Sequence, residues 1–310
     1  MNFFKKKTLW AIAIAALSMA FSFSPCSAAT PETAADLVVY GKIYTSNAKE
    51  RYAEAFAVKD GRYVYVGNKA GASAFIKDGV TKVIDRTGKG LITAGATEGH
   101  GHYVLASELK VSGGYIHAAN VTEIIAKMKE HVQKFPNKEV YFVQGWETGG
   151  EMRDAKFTCN MRKALDEICP DKAIIMVDNV GHNAFLNSKA FEMAGFTRGF
   201  ALEGGAFAKD ANGDFLGLVS DVAVNYAMEK IQEKHSLIDK DTARKAIRDA
   251  ADFLHSNGYT NYFDAYTNFL GKVTYEALHD EDVENGLTFN IISAYKILIL
   301  PTPIFDEKIR

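Results

Sequence analysis

Residues 88–102 read Gly88-Lys-Gly-Leu-Ile-Thr-Ala-Gly-Ala-Thr-Glu-Gly-His100-Gly-His102. Leu91, Ile92 and the small residues to Ala96 predict a short apolar strand running into a His-x-His. Side chains two apart on an extended segment point the same way. His100 and His102 therefore place two imidazoles on one side of a strand end, within reach of a single divalent ion. Neutral imidazole is a common ligand for zinc and similar metals, although two histidines leave a site of about four ligands incomplete. Gly99 and Gly101, lacking side chains, let the backbone come close to such an ion.

On the N-terminal side of this stretch, residues 35–92 alternate like short strands. Asp36-Leu-Val-Val-Tyr-Gly-Lys-Ile-Tyr-Thr is one, and Lys82-Val-Ile-Asp another. Ala55 to Gly67 reads as a hairpin with Asp60-Gly61 at its turn. Residues 70–77 carry a helical patch. The expectation is a small β-domain over 29–90 that holds no site residues. Before it, Lys5, Lys6 and Lys7 form a basic region and Thr8 to Phe23 an apolar run, shorter than the ~20 residues of a membrane span. Small residues follow at 26–29, so residues 1–28 read as a signal peptide. Pro25 argues against a lipoprotein Cys26. The mature chain is then exported, periplasmic or secreted, with no membrane span after signal cleavage. Cys159 and Cys169 remain; a helix between them would hold them about 15 Å apart, too far for a disulfide.

On the C-terminal side, helices and strands alternate. Asn120-Val-Thr-Glu123 is a capping box, and Val121, Ile124, Ile125, Met128 and Val132 form the stripe of the helix it opens. Glu139 to Gln144, Lys172 to Asp178, Tyr259 to Asp264 and Leu287 to Tyr295 read as strands. Met161 to Ile168 and Gly271 to His279 read as helices. Asp241 is placed as the cap of a long helix with a stripe of Ala243, Ala246, Ile247, Ala250 and Leu254. Strands separated by helices predict βαβ units and a parallel sheet.

Three further motifs carry chemistry. Asp178-Asn-Val-Gly-His182 follows a strand, which puts His182 at a strand end; the bland alternative is a histidine that bonds its own turn. Asn187 or Ser188 caps the short helix beyond it. Gly145-Trp146-Glu147 also follows a strand, and Trp146 either lines a pocket or anchors a loop. Asp210-Ala-Asn212-Gly-Asp214 has carboxylate spacing that suggests calcium, but Phe215 stands where such a loop needs Gly. Asn212-Gly213 reads instead as a type I′ hairpin turn.

The stretch around His100 resembles the first-strand motif of the metal-dependent amidohydrolase superfamily, carried by Gly95, Glu98, Gly99, His100, Gly101 and His102. Ala94 stands where the family usually has Pro, and Ala96 where it has a large apolar residue. The Glu-Gly-His-Gly-His form is similar to the amidohydrolase-3, YtcJ-like branch. The resemblance extends to Gly41-Lys-Ile-Tyr-Thr, Gly61-Arg, Val66-Gly, Gly145-Trp146 and the Gly-His-x-x-x-x-Asn-Ser pattern of 181–188, and runs from about Asp36 to Tyr295. It implies an α/β fold: a small N-terminal β-domain, then a (β/α) TIM-type barrel over 91–310 with an insertion at about 180–240. It also implies His100 and His102 as metal ligands, a divalent metal with zinc expected, and a substrate-side role for His182 and Trp146. The later family strands bring a bridging lysine or carboxylate, two more histidines and an aspartate. No residue here matches the last three, and Lys296 matches the bridge poorly. About half a barrel fits before Arg310, so the barrel is expected to be incomplete and the chain truncated.

The 310 residues are 47% hydrophobic and 24% charged, with a net charge of −2. That is ordinary globular material with no electrostatic reason to bind nucleic acid. The expected function is an exported metal-dependent hydrolase of non-peptide carbon–nitrogen bonds, acting on a small amide-type substrate by metal-activated water. The catalytic base is not identifiable. The rivals are a fragment or degenerate relative without activity of its own, completed by a second chain or an oligomer if at all, and, ranked last, an exported solute-binding protein.

Overall fold

A computed structural model describes residues 34–294; the expected signal segment 1–28, Cys26, Lys296 and the tail 301–310 lie outside them. The chain divides after Ala94 into two compact units.

The first unit contains β1 (Leu37–Tyr44), β2 (Tyr52–Lys59), β3 (Arg62–Gly67), α1 (Lys69–Ser73), β4 (Lys82–Asp85) and β5 (Leu91–Ile92). Its sheet runs β3-β2-β1-β4, with β5 also paired to β1. Asp60 and Gly61 both take positive φ, 50° and 72°, the backbone twist that matches a two-residue hairpin to its strands. The Asp36 carboxylate accepts from Lys59 Nζ and Asp60 N–H, each at 2.7 Å, and these bonds hold its pKa below the usual range. Ala35, Val38, Ala55, Ala57, Ala72 and Phe75 form the core. Leu91 and Ile92 belong to this sheet and not to the strand that carries the histidines, contrary to the sequence reading. They pair in parallel with Lys42 and Ile43. Ile92 packs so closely on Gly41 that a Cβ there would meet its Cδ1 at 2.7 Å.

The second unit begins with β6 (Ala96–Gly101), α2 (Tyr103–Ser112), β7 (Tyr115–Ala118), α3 (Val121–Lys134) and β8 (Val140–Trp146). It continues through α4 (Met152–Thr158), α5 (Met161–Asp166), β9 (Ala173–Asp178), β10 (Asn183–Leu186), α6 (Ser188–Met193), β11 (Gly205–Lys209) and β12 (Phe215–Asp221). It ends with α7 (Val222–Gln232), α8 (Lys240–Ser256), β13 (Tyr259–Asp264), α9 (Val273–Asn285) and β14 (Asn290–Ser293). Two sheets result. One is three-stranded and parallel, in the order β14-β13-β6; the other is six-stranded, in the order β11-β12-β10-β9-β8-β7.

Of the incomplete barrel expected from sequence, the mixed α/β fold is present. Among the described residues no closed barrel forms; β6, β13 and β14 make one parallel series, and β7, β8 and β9, joined through α3 and through α4 and α5, make another. The strands at β8 and β9 lie in the other sheet. There the chain turns back from β9 into the antiparallel β10 instead of crossing over to a parallel neighbour. Between β6 and β13 the chain from Tyr115 to Asp221 builds the six-stranded sheet, whose strands β10, β11 and β12, residues 183–221, pair antiparallel. β9 is buried along its whole length. Its alternate residues Ala173, Ile175 and Val177 enter one core, and Ile174 and Met176 the other, as a period-2 strand covered on both faces requires.

Local signals are realised closely. Asn120 Oδ1 accepts from Glu123 N–H at 3.0 Å and Asn187 Oδ1 from Ala190 N–H at 3.0 Å, capping α3 and α6. The stripe of α8 is buried as read. Its cap, however, is Asp239, whose Oδ1 accepts from Thr242 N–H at 2.8 Å, not Asp241. The loop at 210–214 is not a type I′ turn, because of its two central residues only Gly213 has positive φ. Asp210 Oδ1 accepts the N–H groups of Asn212 and Asp214 at 2.8 and 2.9 Å, which closes the loop without an ion. Cys159 and Cys169 are free thiols, and burial pushes the Cys159 thiol up. No described helix is long and apolar enough to cross a membrane.

Two buried titratable groups set opposite pH trends. His131 packs between Phe135 and Tyr141, with ring centroids at 4.8 and 6.0 Å, and its Nε2 has no hydrogen bond. Burial first, then Lys138 and Lys134, lowers its pKa to about 4. Glu108, on the inner face of α2, accepts from Thr274 Oγ1 at 2.7 Å, and burial raises its pKa to about 8. The unfolded His131 takes up a proton that the folded one refuses, so its contribution to stability is lost as pH falls from about 6.5 to about 4. The His131→Phe variant is expected to gain melting temperature over the parent, with the gain growing across that window in thermal unfolding at stepped pH. Glu108 runs the other way. Its folded form keeps a proton that the unfolded form loses, so stability is lost as pH rises from about 4.5 to about 8. Glu108→Gln is expected to match the parent near pH 4.5 and exceed it by up to about 4 kcal/mol near pH 8, measured by urea unfolding at both values.

Candidate active site

β6 and β13 pair in parallel, with Glu98 opposite Tyr262 and, after a register shift, Gly101 opposite Asp264, so both strands finish at the same level. His100 and His102 lie at the end of β6 with ring centroids 5.3 Å apart and planes at 86°; the i, i+2 spacing does bring the two imidazoles together. Both are exposed. Glu98 Oε1 accepts from His100 N–H at 3.2 Å, turning the strand end. Gly101 is required for a different reason from the one read in the sequence. A Cβ there would meet the Tyr262 ring at 2.9 Å, so the missing side chain makes room for an aromatic and not for an ion. Tyr262 in turn accepts the Tyr103 N–H at 2.7 Å, which fixes the first turn of α2 directly after His102.

Asp264 closes β13 beside this pair and is fully buried. Its Oδ1 accepts from Tyr266 N–H at 3.3 Å, and its Oδ2 makes no hydrogen bond. Burial pushes its pKa up, against the pull of the Tyr266 N–H and of His102. Its charge also helps to raise Glu108. The sequence reading placed Asp264 only as a strand terminus. Its level with the histidines was visible solely through the β6–β13 register.

Among the described residues, no set of three His, Cys, Asp or Glu side chains is arranged to hold a metal ion. Two imidazoles do not by themselves make a metal centre, which needs about four ligands. The donor chemistry is right and the number is short.

His102 opens onto a cavity of about 870 Å³ whose walls include Leu105, Leu109 and Phe269 on one side and His182 and Asp221 on the other. His182 sits in the turn that follows the end of β9, and it reaches the same cavity as His102 from the other sheet. Buried Asp178 anchors that turn, its Oδ1 accepting the N–H groups of His182 and Asn183 at 2.8 and 3.2 Å. The His182 ring is held by Asp221, with Nδ1 and Oδ1 3.0 Å apart. Asp221 has φ 54° and ψ −117°, a backbone state that costs a non-glycine residue about 1–3 kcal/mol. Neighbouring bonds enforce it: Asp221 N–H donates to His182 O at 2.7 Å, and Val222 N–H to Gly204 O at 3.2 Å. In the sequence, Asp221 showed only as the far end of a rejected calcium loop.

Trp146 does not line the cavity. It is 1% exposed, its Nε1 donates to Met176 O at 2.8 Å, and its ring stacks on Phe185 at 4.6 Å. The substrate-side role expected for it gives way to a core role; the neighbouring Gly145 takes the place on the wall.

The sequence model of an amidohydrolase family matches residues 82–304. The chain is 27% identical to protein LONG AFTER FAR-RED 3 of Arabidopsis thaliana, over 76% of this chain and 39% of that protein. It is 25% identical to an N-substituted formamide deformylase of Arthrobacter pascens, over 71% of this chain and 39% of that protein. An uncharacterized metal-dependent hydrolase from Pyrococcus horikoshii shares the fold, with a TM-score of 0.59 at 20% identity, over 84% of this chain and 48% of that structure. The chain thus spans about two fifths of the length of these curated relatives. With 82–304 matched and the His-x-His pair in place at the end of β6, the chain belongs to the amidohydrolase family, in its amidohydrolase-3 branch.

Proposed function

We propose that this chain provides the first pair of metal ligands and the substrate cavity of an exported metal-dependent hydrolase that cleaves non-peptide carbon–nitrogen bonds in small amide-type molecules. The observation that carries the reading is the pairing of His100 and His102, 5.3 Å apart at a strand end, with His102 on the wall of a cavity large enough for a small organic molecule. Family membership supports hydrolysis, and the formamide deformylase relative supports a carbon–nitrogen bond as the target. Zinc is the first candidate for the divalent ion, since imidazole suits it.

The second reading, a relative without activity of its own, is favoured by the lack of a third ligand among the described residues. The two readings part on metal content. Purified chain is expected to retain close to one zinc, iron or manganese per chain, detected by plasma mass spectrometry, and the His100→Ala, His102→Ala double variant to lose it. Hydrolysis across a panel of formamides, amides and cyclic imides is expected to follow the metal. Parent protein that folds but retains no metal supports the second reading and sinks the first.

A further inference from the structure

The imidazole pair on β6 does not account for the opposite wall of the cavity. There a backbone strained at Asp221 and a buried carboxylate at Asp178, which also holds Asn183, both bind one exposed histidine. Asp178 holds the His182 main chain through its N–H at 2.8 Å, and Asp221 holds the ring through Nδ1 at 3.0 Å. A carboxylate can only accept, so the Nδ1 facing Asp221 carries the hydrogen. In a neutral imidazole the lone pair is then left on Nε2. Nε2 makes no hydrogen bond among the described residues. The cavity beside it is walled by the apolar Leu105, Leu109 and Phe269 and by the polar Lys110, Gln144 and Asn179.

We infer that His182 and Asp221 form a fixed acceptor that reads a hydrogen-bond donor, N–H or O–H, on a ligand in this cavity, with Asp221 as the positioning residue. A ligand that covers an oriented acceptor and lacks the donor leaves it without water and unpaired, so such a site selects against a ligand of the same shape without the donor. Strain at Asp221 fits such a role, since a φ of 54° persists only where the surroundings enforce it. The inference rests on the cavity being the substrate site proposed above, and on neither a bound metal nor hydrolysis.

The test uses the full chain labelled with 15N-histidine, at about pH 8, where an ordinary imidazole is neutral. The His182 ring signals are assigned by their loss in His182→Gln. The expected result is the Nδ1–H tautomer in the parent, loss of that preference in Asp221→Ala, and its recovery in Asp221→Asn, whose amide oxygen still accepts. Phenol and anisole, matched but for the donor, are then titrated against the same signals. Phenol is expected to bind roughly five- to tenfold more tightly, about the worth of one neutral hydrogen bond, with the ratio falling to near one in Asp221→Ala. An Nε2–H tautomer in the parent, an unchanged tautomer in Asp221→Ala, equal binding of the two probes, or no binding of either overturns the inference. Metal content of the same samples is read separately. Donor selection without metal would defeat the hydrolase reading and leave this one standing.

Discussion

The site depends on the parallel ladder between β6 and β13. These strands are joined through the whole six-stranded sheet, yet their register puts Gly101 opposite Asp264, and the Ala265 N–H donates to Gly101 O at 3.0 Å just beyond. That pairing brings the histidine pair and a buried carboxyl group to one level. It also seats Tyr262 under Gly101, and the Tyr262 hydroxyl then receives the first N–H of α2. The direction of α2, and with it the wall formed by Leu105 and Leu109, follows from this contact. A side chain at Gly101 would press on the Tyr262 ring and disturb strand, helix and cavity together.

The cavity is the meeting place of two sheets with different architectures. The three-stranded parallel sheet contributes a strand end with imidazoles; the six-stranded sheet contributes a hairpin turn with an oriented histidine. The core of the larger sheet is conventional, with β9 covered on both faces and Trp146 sunk between Met176 and Phe185. Departures from ordinary packing include the strained Asp221 on the cavity wall, the unpaired oxygen of Asp264, Glu108 held well above its usual pKa and, away from the cavity, His131. Buried ionisable groups cost stability unless paired, and in this unit Asp264 and Glu108 gather on the side of the molecule where ligand chemistry is expected.

How much of this was legible in the sequence differs by the range of the interaction. His100 and His102 were legible because an extended strand aligns i and i+2 by geometry alone. The cap Asn120, a cap at Asn187 or Ser188, the Asp60-Gly61 turn and the stripe of α8 were legible for the same reason: each is settled within a few residues of chain. The cap of α8 was misplaced by two residues because Asp239 and Asp241 carry the same side chain, and only the hydrogen bond to Thr242 distinguishes them.

The sequence by itself determined the local elements, the imidazole pair and the family of the chain, since all three are written in short-range patterns of residue type. Tertiary structure alone decided which sheet each strand joins. Apolar strands such as β8 and β9 read alike whether the next strand is reached by a crossover or by a hairpin, and here β10 returns antiparallel. It also decided that Trp146 is core, that His182 reaches the cavity from a second sheet, and that Asp221 and Asp264 matter at all. A single carboxylate has no local signature; its role comes from partners 39 residues away in one case and from a strand register in the other.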